Sequence, residues 1–118
     1  MGRDMDKISD LVESRVEAHS RFLRRGSQVY EAFLKMQNAT FVDGTLDRKT
    51  KELIAIGISV QTNCEACMQW HIENAARAGV REDEVFEAIE VAIEMGGGPA
   101  TVSARFALSV MDSVFGPA

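Results

Sequence analysis

The stretch that decides the fold is LIAIGISV at residues 53–60, which is followed closely by CEACMQWH at residues 64–71. The first segment is apolar on nearly every side and rich in β-branched residues. It therefore fits a buried strand as well as a buried helix. This choice decides whether the protein is all-helical or contains both helices and strands. The residues on either side of the segment help to make it.

Three features around the segment favour a helix. The charged run DRKTKE at residues 47–52 leads into it without a break, no second convincing strand exists to pair with it, and the residues between the two cysteines suit a helix. A strand before a Cys-x-x-Cys helix would instead be thioredoxin-like, and that fold needs a proline facing the disulfide. The two prolines, Pro99 and Pro117, each follow a glycine in a turn-like context. We predict an all-α protein, with the thioredoxin-like arrangement as the alternative.

The rest of the chain has helical periodicity, with apolar residues mostly at three- and four-residue steps from Ile8 to Leu23 and again from Val29 to Met36. With 118 residues the chain is long enough for one domain with a single core. Helix start and stop signals divide it into about six helices with short connections. These signals are Gly26, Ser27, the Asp43-Gly44 turn, Thr45 or Asp47, the Thr62-Asn63 turn, Gly79 and the GGGP run at 96–99.

Composition and charge exclude several classes of partner. The formal net charge of -5 argues against nucleic acid, whose binding needs a basic surface. The N-terminus carries no apolar stretch typical of a signal peptide, and no segment reads as a membrane span. We therefore expect a cytoplasmic protein. In a reducing compartment a cysteine pair is more often catalytic, redox-active or metal-bound than a permanent cross-link.

Both cysteines of the chain, Cys64 and Cys67, lie three residues apart at a predicted helix start. Their Cα atoms would be roughly 5 to 6 Å apart, which a disulfide tolerates. The helix dipole and its unpaired N–H groups stabilise thiolate there, so we expect a lowered thiol pKa. His71 follows Cys67 by four residues and shares its helix face.

A carboxylate can be placed beside this histidine. If Thr62-Asn63 is the turn of a helical hairpin, Glu52 and His71 both lie roughly 13 to 16 Å from it, on opposite helices. Glu52 could then orient His71, giving the parts of an activated nucleophile: a thiol, a base, a base-orienter and a second thiol.

Structural readings of the same residues remain open. His71 could be a hydrogen-bonded core histidine, and Glu52 a solvated charge paired with Arg48 or Lys49. The two cysteines and His71 could form part of a zinc site, although zinc needs a fourth ligand and His19 has no patterned partner. We read His19 as structural and predict no metal.

The pattern of Glu52, eleven residues, Cys64-x-x-Cys67, three residues and His71 resembles the active-site signature of the AhpD-like (alkylhydroperoxidase-like) group in the carboxymuconolactone decarboxylase superfamily. The flanking LDRKTKEL at 46–53 and MGGGPA at 95–100 are similar too, and the likeness covers roughly residues 40–108. It implies one AhpD-like helical domain over 1–118, with N-terminal helices in 1–40 and the motif-bearing core in 45–108. It also implies assembly into trimers or hexamers.

The resemblance further implies an antioxidant oxidoreductase that reduces hydroperoxides or exchanges disulfides. Carried over by position, Cys67 is the peroxide-attacking thiol, Cys64 the resolving one, and His71 with Glu52 the proton relay; the order of the cysteines stays open. No dinucleotide or phosphate motif is present, so we expect no cofactor and electrons that arrive through a dithiol protein or a small thiol. The resemblance implies a peroxiredoxin as a partner that receives reducing equivalents.

Peroxide-reducing members carry a histidine between the cysteines, where this chain has Ala66, which favours disulfide exchange with a partner protein. The alternatives are a carboxymuconolactone decarboxylase-like lyase and a non-redox oligomer that binds a small molecule.

Overall fold

The computed structural model describes residues 2–117, with side chains from residue 4, and these residues form one all-helical domain without a strand. LIAIGISV lies inside the third helix, so the thioredoxin-like alternative is wrong. None of the described helices is both long enough and apolar enough to span a membrane. The six helices are α1 (Gly2–Arg24), α2 (Gln28–Thr40), α3 (Arg48–Gln61), α4 (Glu65–Arg77), α5 (Glu82–Gly96) and α6 (Gly98–Phe115).

The helix boundaries follow the predicted signals. The Ser27 hydroxyl accepts a hydrogen bond from the Tyr30 backbone N–H at 3.1 Å and so caps α2. The Asp47 carboxylate caps α3 in the same way, accepting from the Thr50 backbone N–H at 2.8 Å. The hydrogen bonds from Thr50 lower the pKa of Asp47, because they favour the charged carboxylate. Gly97, with a φ of 65°, makes the sharp break between α5 and α6.

Helices α3 to α6 pack on one another and form the core. Helices α3, α4 and α5 each bury an apolar face there, and α6 contributes a fourth. The N-terminal half of α1 lies over this core through Ile8, and Met5 and Leu11 pack beside it. The largest fully buried side chains are Ile56, Met68, Ile72, Ile89, Val60, Val85 and Val110.

Helix α2 departs from the sequence-based expectation. Its periodic apolar residues are not core residues, because no side chain of α2 is buried and, among the described residues, α2 packs against α1 alone. The contact lies near the turn, where the Tyr30 ring stacks on Phe22 and its hydroxyl lies 2.7 Å from His19 Nδ1. The last turns of α1 are also exposed, including Phe22 and Leu23. His19 therefore has the structural role predicted for it.

Candidate active site

The cysteine pair lies where the α3–α4 hairpin turns. The chain leaves α3 through Thr62 and Asn63, whose positive φ of 52° makes the tight reversal. The Cys64 backbone N–H then donates to the Ser59 carbonyl at 2.9 Å, which closes the turn onto α3. Cys64 thus occupies the N-cap position of α4.

Cys64 and Cys67 are joined by a disulfide, with their Cα atoms 5.2 Å apart, as the i, i+3 spacing predicts. The Cys64 sulfur also accepts a hydrogen bond from the Cys67 backbone N–H at 3.2 Å. Both cysteines are partly exposed. In the reduced protein the same N–H and the positive end of the α4 dipole would stabilise a thiolate on Cys64.

Glu52 and His71 meet across the hairpin. His71 Nδ1 lies 2.8 Å from Glu52 Oε1, so the predicted contact between the two helices is present. An ionised carboxylate can only accept hydrogen bonds, so Nδ1 carries the proton and Nε2 is left as the basic nitrogen. His71 stands one helical turn after Cys67 on α4. The tautomer that Glu52 selects is the one a general base requires.

Glu52 is a buried acid, with a relative exposure of 2% on the core-facing side of α3 beside Ile56. Burying a carboxylate costs free energy that a well-packed apolar side chain would not. A solvated helix-face charge would not have this environment, so that reading of Glu52 is wrong. An acid buried against a histidine of the cysteine-bearing helix is a candidate functional residue.

Arg48 is the second charged neighbour of Glu52. Its Nε lies 3.8 Å from Glu52 Oε2, one helical turn back on α3, whereas Lys49 makes no ion pair among the described residues. Arg48 Nε is also shielded from solvent and has no hydrogen-bond partner within the described part of the chain. The Glu52 carboxylate therefore lies between an imidazole and a guanidinium.

Phe41, which the sequence analysis did not single out, completes the surroundings of the histidine. Its ring centroid lies 5.1 Å from that of His71, at the point where the chain leaves α2. No spacing rule connects Phe41 to the motif, because the contact depends on how α2 returns to the core. Its one sequence signal is an aromatic residue placed directly after a helix.

Helix α1 covers the start of α4 on another side. Lys7 pairs with Glu65, the residue after Cys64, at 2.7 Å, and the Arg15 guanidinium lies 4.6 Å from the centre of the Trp70 ring. Burial lowers the pKa of Arg15, opposed by the nearby Glu73 carboxylate. These contacts were not predicted, since they join residues more than fifty positions apart.

The structure places the four predicted site residues on the α3–α4 hairpin as two joined pairs, and among the described residues no hydrogen bond links one pair to the other. Glu52 touches His71, Cys64 is bonded to Cys67, and Cys67 and His71 share one helix. Within residues 2–117, no group of three or more His, Cys, Asp and Glu side chains is arranged to hold a metal ion.

The fold and the site together define a class of protein. It is all-helical, with a disulfide at the N-terminus of a hairpin helix that also carries a histidine paired with a buried acid. The model of the carboxymuconolactone decarboxylase family matches residues 27–109. The chain belongs to the carboxymuconolactone decarboxylase family, and the resemblance seen in the motif is confirmed.

Two relatives in sequence are described as uncharacterized proteins. An uncharacterized protein in the cox locus of Paracoccus denitrificans is 40% identical over 93 residues, which cover 79% of this chain and 84% of that protein. An uncharacterized protein of Cupriavidus necator is 36% identical over 83 residues, covering 70% and 74% of the two chains.

Two solved structures are similar over nearly the whole chain. A carboxymuconolactone decarboxylase family protein from Legionella pneumophila, solved in its apo form, superposes with a TM-score of 0.87 at 29% identity, covering 95% of this chain and 99% of that one. A Thermotoga maritima member of the family gives a TM-score of 0.81 at 28% identity, with 90% of each chain covered. That protein is described with a possible involvement in antioxidative response.

Proposed function

We propose that this protein is a thiol-dependent antioxidant oxidoreductase whose Cys64–Cys67 pair cycles between dithiol and disulfide. The observation that carries the proposal is the disulfide at the start of α4, one turn from a histidine held by a buried glutamate. The possible antioxidative involvement of the Thermotoga maritima relative agrees with it. An imidazole held by a buried acid one turn from a cysteine has the parts needed to activate a thiol.

In the proposed peroxide reaction the reduced enzyme starts with His71 Nε2 taking the proton of Cys67. The thiolate attacks one peroxide oxygen, the O–O bond breaks, and the alkoxide that leaves takes the proton back from His71 as an alcohol. Cys67 is now a sulfenic acid. Glu52 holds the imidazole through Nδ1 and stabilises its transient positive charge.

The second thiol closes the cycle. Cys64 ionises to the thiolate that the start of α4 stabilises and attacks the sulfenic sulfur, and the disulfide forms. The displaced hydroxide leaves as water with the proton that the Cys64 thiol gave up. The two thiols lose two electrons and the peroxide gains them. A dithiol electron-donor protein must return two electrons and two protons, and its own disulfide is released. A peroxiredoxin would instead stand downstream, as the acceptor of reducing equivalents from the Cys64–Cys67 dithiol.

Disulfide exchange with a partner protein uses the same pair without the peroxide step. Ala66 favours disulfide exchange over peroxide reduction, since the relay lacks a histidine between the two cysteines. In that reaction a thiolate of the pair attacks the partner's disulfide, a mixed disulfide forms, and the other thiol of the pair resolves it. The reactive pair and its base are common to both reactions.

The test is mass spectrometry of the alkylated, pre-reduced protein after one equivalent of an organic hydroperoxide, in the wild type and in Cys64→Ser and Cys67→Ser. We expect an intramolecular disulfide in the wild type and a trapped sulfenic acid in Cys64→Ser alone. Trapping in Cys67→Ser alone would reverse the order of the two thiols.

A parallel sample with glutathione disulfide separates the two reactions. Oxidation by glutathione disulfide, but not by hydroperoxide, identifies disulfide exchange as the activity. Two unmodified thiols with both oxidants would overturn the redox proposal and favour the lyase chemistry from which the family takes its name.

A further inference from the structure

One charged residue lies inside the cysteine motif itself. Glu65 follows Cys64 directly and is in the first turn of α4. Consecutive Cα atoms are ~3.8 Å apart, so the Glu65 carboxylate lies within about one Debye length, ~10 Å, of the Cys64 sulfur. A negative charge at that distance disfavours a thiolate, because like charges repel. By itself, Glu65 therefore opposes the reactive form of the pair.

Lys7 of α1 supplies the opposite charge. Its Nζ lies 2.7 Å from Glu65 Oε1 and 2.9 Å from Glu65 Oε2, so one ammonium group contacts both carboxylate oxygens. The two side chains are 49% and 34% exposed, and an ion pair this open to water adds little to stability. What the pair changes is the net charge beside Cys64, which is close to zero with Lys7 in place.

Contacts between α1 and the core hold Lys7 in this position. Ile8, the next residue, is buried, and Asp4, one turn earlier, accepts a hydrogen bond from the Ser109 hydroxyl of α6 at 2.6 Å. The Lys7 ammonium also lies 5.1 Å from the centre of the Phe106 ring, which is a cation–π contact with α6. The charge is therefore placed at the start of α4 by the packing of α1, from 58 positions away in the sequence.

The other charged partners of α4 lie farther from the cysteines. Arg15 of α1 pairs with Glu73, and Glu52 of α3 pairs with His71. His71 is one turn beyond the cysteine pair, and Glu73 is almost two turns beyond it. Helices α5 and α6 make no ion pair with α4 among the described residues. Lys7 is thus the ion-paired cation at the cysteine end of the helix.

We propose that Lys7 keeps the cysteine pair reactive by neutralising the Glu65 carboxylate beside Cys64. The inference rests on the proposed function, in which a thiolate of this pair is the attacking group. Lys7 acts through Glu65, so it is a positioning residue and not a catalytic one. The docking of α1 on the core then sets the reactivity of thiols that α4 carries.

Opposite charges predict opposite effects, which separates an electrostatic role from a structural one. In the reduced protein, Glu65→Gln should lower the pKa of the more acidic thiol and Lys7→Met should raise it. Each should change the thiolate fraction about 2- to 5-fold at a pH below the titration midpoint. The double variant loses both charges and should return close to the wild type. The ultraviolet absorbance of the thiolate as a function of pH measures all four proteins.

Asp83→Asn and Lys35→Met are the matched controls for this titration. Each removes one charge from an exposed position, on α5 and on α2 respectively. Both should leave the thiol pKa unchanged, and circular dichroism should show the same helix content in every variant. Shifts in one direction for both Lys7→Met and Glu65→Gln, as loss of a shared structural contact would give, contradict the proposal. Equal thiol pKa values in all the proteins contradict it as well.

Equilibration with glutathione gives a second readout. A stabilised thiolate favours the dithiol over the disulfide. Above the titration midpoint, Glu65→Gln should therefore move the exchange toward the dithiol and glutathione disulfide. Lys7→Met should move it toward the Cys64–Cys67 disulfide and two glutathione thiols. The same equilibrium in both variants would count against a role for Lys7.

The titration uses no oxidant, so it distinguishes failure of this proposal from failure of the proposed function. Thiols that resist both hydroperoxide and glutathione disulfide, but show the expected order of pKa values, would overturn the proposed function alone. Thiols that are oxidised in the wild type, but show no opposite shifts in Lys7→Met and Glu65→Gln, would overturn the role of Lys7 alone.

Discussion

The α3–α4 hairpin and the α1–α2 pair are built alike in sequence but differ in packing. Both join two amphipathic helices through a short turn, and each second helix begins at a side-chain cap, Cys64 for α4 and Ser27 for α2. In the first, the apolar faces are buried against α5 and α6 and enclose Glu52. In the second, no side chain of α2 is fully buried. Apolar periodicity therefore identifies the apolar face of a helix. It does not indicate whether the same chain supplies a surface that buries this face.

The difference in packing between the two regions is tested most directly by shortening one side chain in each. Ile56→Ala should lower the free energy of unfolding by about 2–5 kcal/mol, because it leaves a cavity in the core. Val29→Ala on α2 should cost less than about 0.5 kcal/mol in dilute protein, since Val29 is already in water. Urea denaturation followed by circular dichroism measures both.

A concentration series extends the same experiment. If α2 is covered by a second copy, the cost of Val29→Ala should rise with protein concentration, because association stabilises the folded state. Equal costs for Ile56→Ala and Val29→Ala at low concentration would contradict the packing described for α2.

Next in size is the loss of the acid that the α3–α4 hairpin encloses. Glu52→Gln keeps the shape but removes the charge that holds His71, so thiol oxidation should slow by roughly 10- to 100-fold. Glu31→Gln on exposed α2 is the matched control and should leave the rate unchanged. The readout is the rate of disulfide formation as a function of pH, which a purely structural role would not reshape.

Glu52→Asp provides the complementary control for that experiment. It retains the charge with a shorter reach, so it should recover part of the rate lost in Glu52→Gln. Equal rates for Glu52→Gln and the wild type across the pH range would remove Glu52 from the proposed relay.

A smaller effect is expected where the two regions touch. Phe41 packs on the His71 ring, and an aromatic pair contributes about 0.5–1.5 kcal/mol beyond area burial. A loss of that free energy in positioning His71 corresponds to thiol oxidation that is about 2- to 10-fold slower in Phe41→Leu. Phe33→Leu, at an exposed position of α2, should leave the rate unchanged. Stopped-flow measurement of disulfide formation distinguishes them, and equal behaviour of the two variants would show that Phe41 does not position His71.

The smallest effect concerns the helix caps of the two regions. The pKa of Asp47 is lowered by its bonds from Thr50, so its contribution to stability is present above the ordinary aspartate pKa and lost as pH falls through the lowered one. Asp47→Ala should lower Tm at pH 7. The loss in Tm should become smaller as the pH falls below about 4, the usual range of an aspartate pKa. Ser27→Ala does not titrate, and its effect on Tm should be the same at every pH.

Calorimetry between pH 3 and pH 7 measures both caps. A pH-independent difference for Asp47→Ala would indicate that its carboxylate contributes through shape alone. Hydrogen exchange in α2 gives a local readout for Ser27→Ala, since that helix is held by few contacts.

Much of the site could be predicted because it depends on local spacing. The i, i+3 step of the cysteines and the i, i+4 step to His71 are properties of one helix, and a single hairpin turn brings Glu52 into register with His71. Phe41 and the Lys7–Glu65 pair could not be predicted in this way. They depend on where α1 and α2 lie on the core, which no local rule specifies.

The amino-acid sequence by itself determined the helices, their caps, the cysteine pair and the pairing of Glu52 with His71, because all of these are set by neighbours in the chain or by one short turn. The tertiary structure alone decided that Glu52 is buried, that Phe41 packs on His71, and that the apolar stripe of α2 faces solvent. The physical reason is that burial depends on which surfaces compete for the same apolar neighbours. Helices α3 to α6 cover one another's apolar faces, and the stripe of α2 lies outside that core.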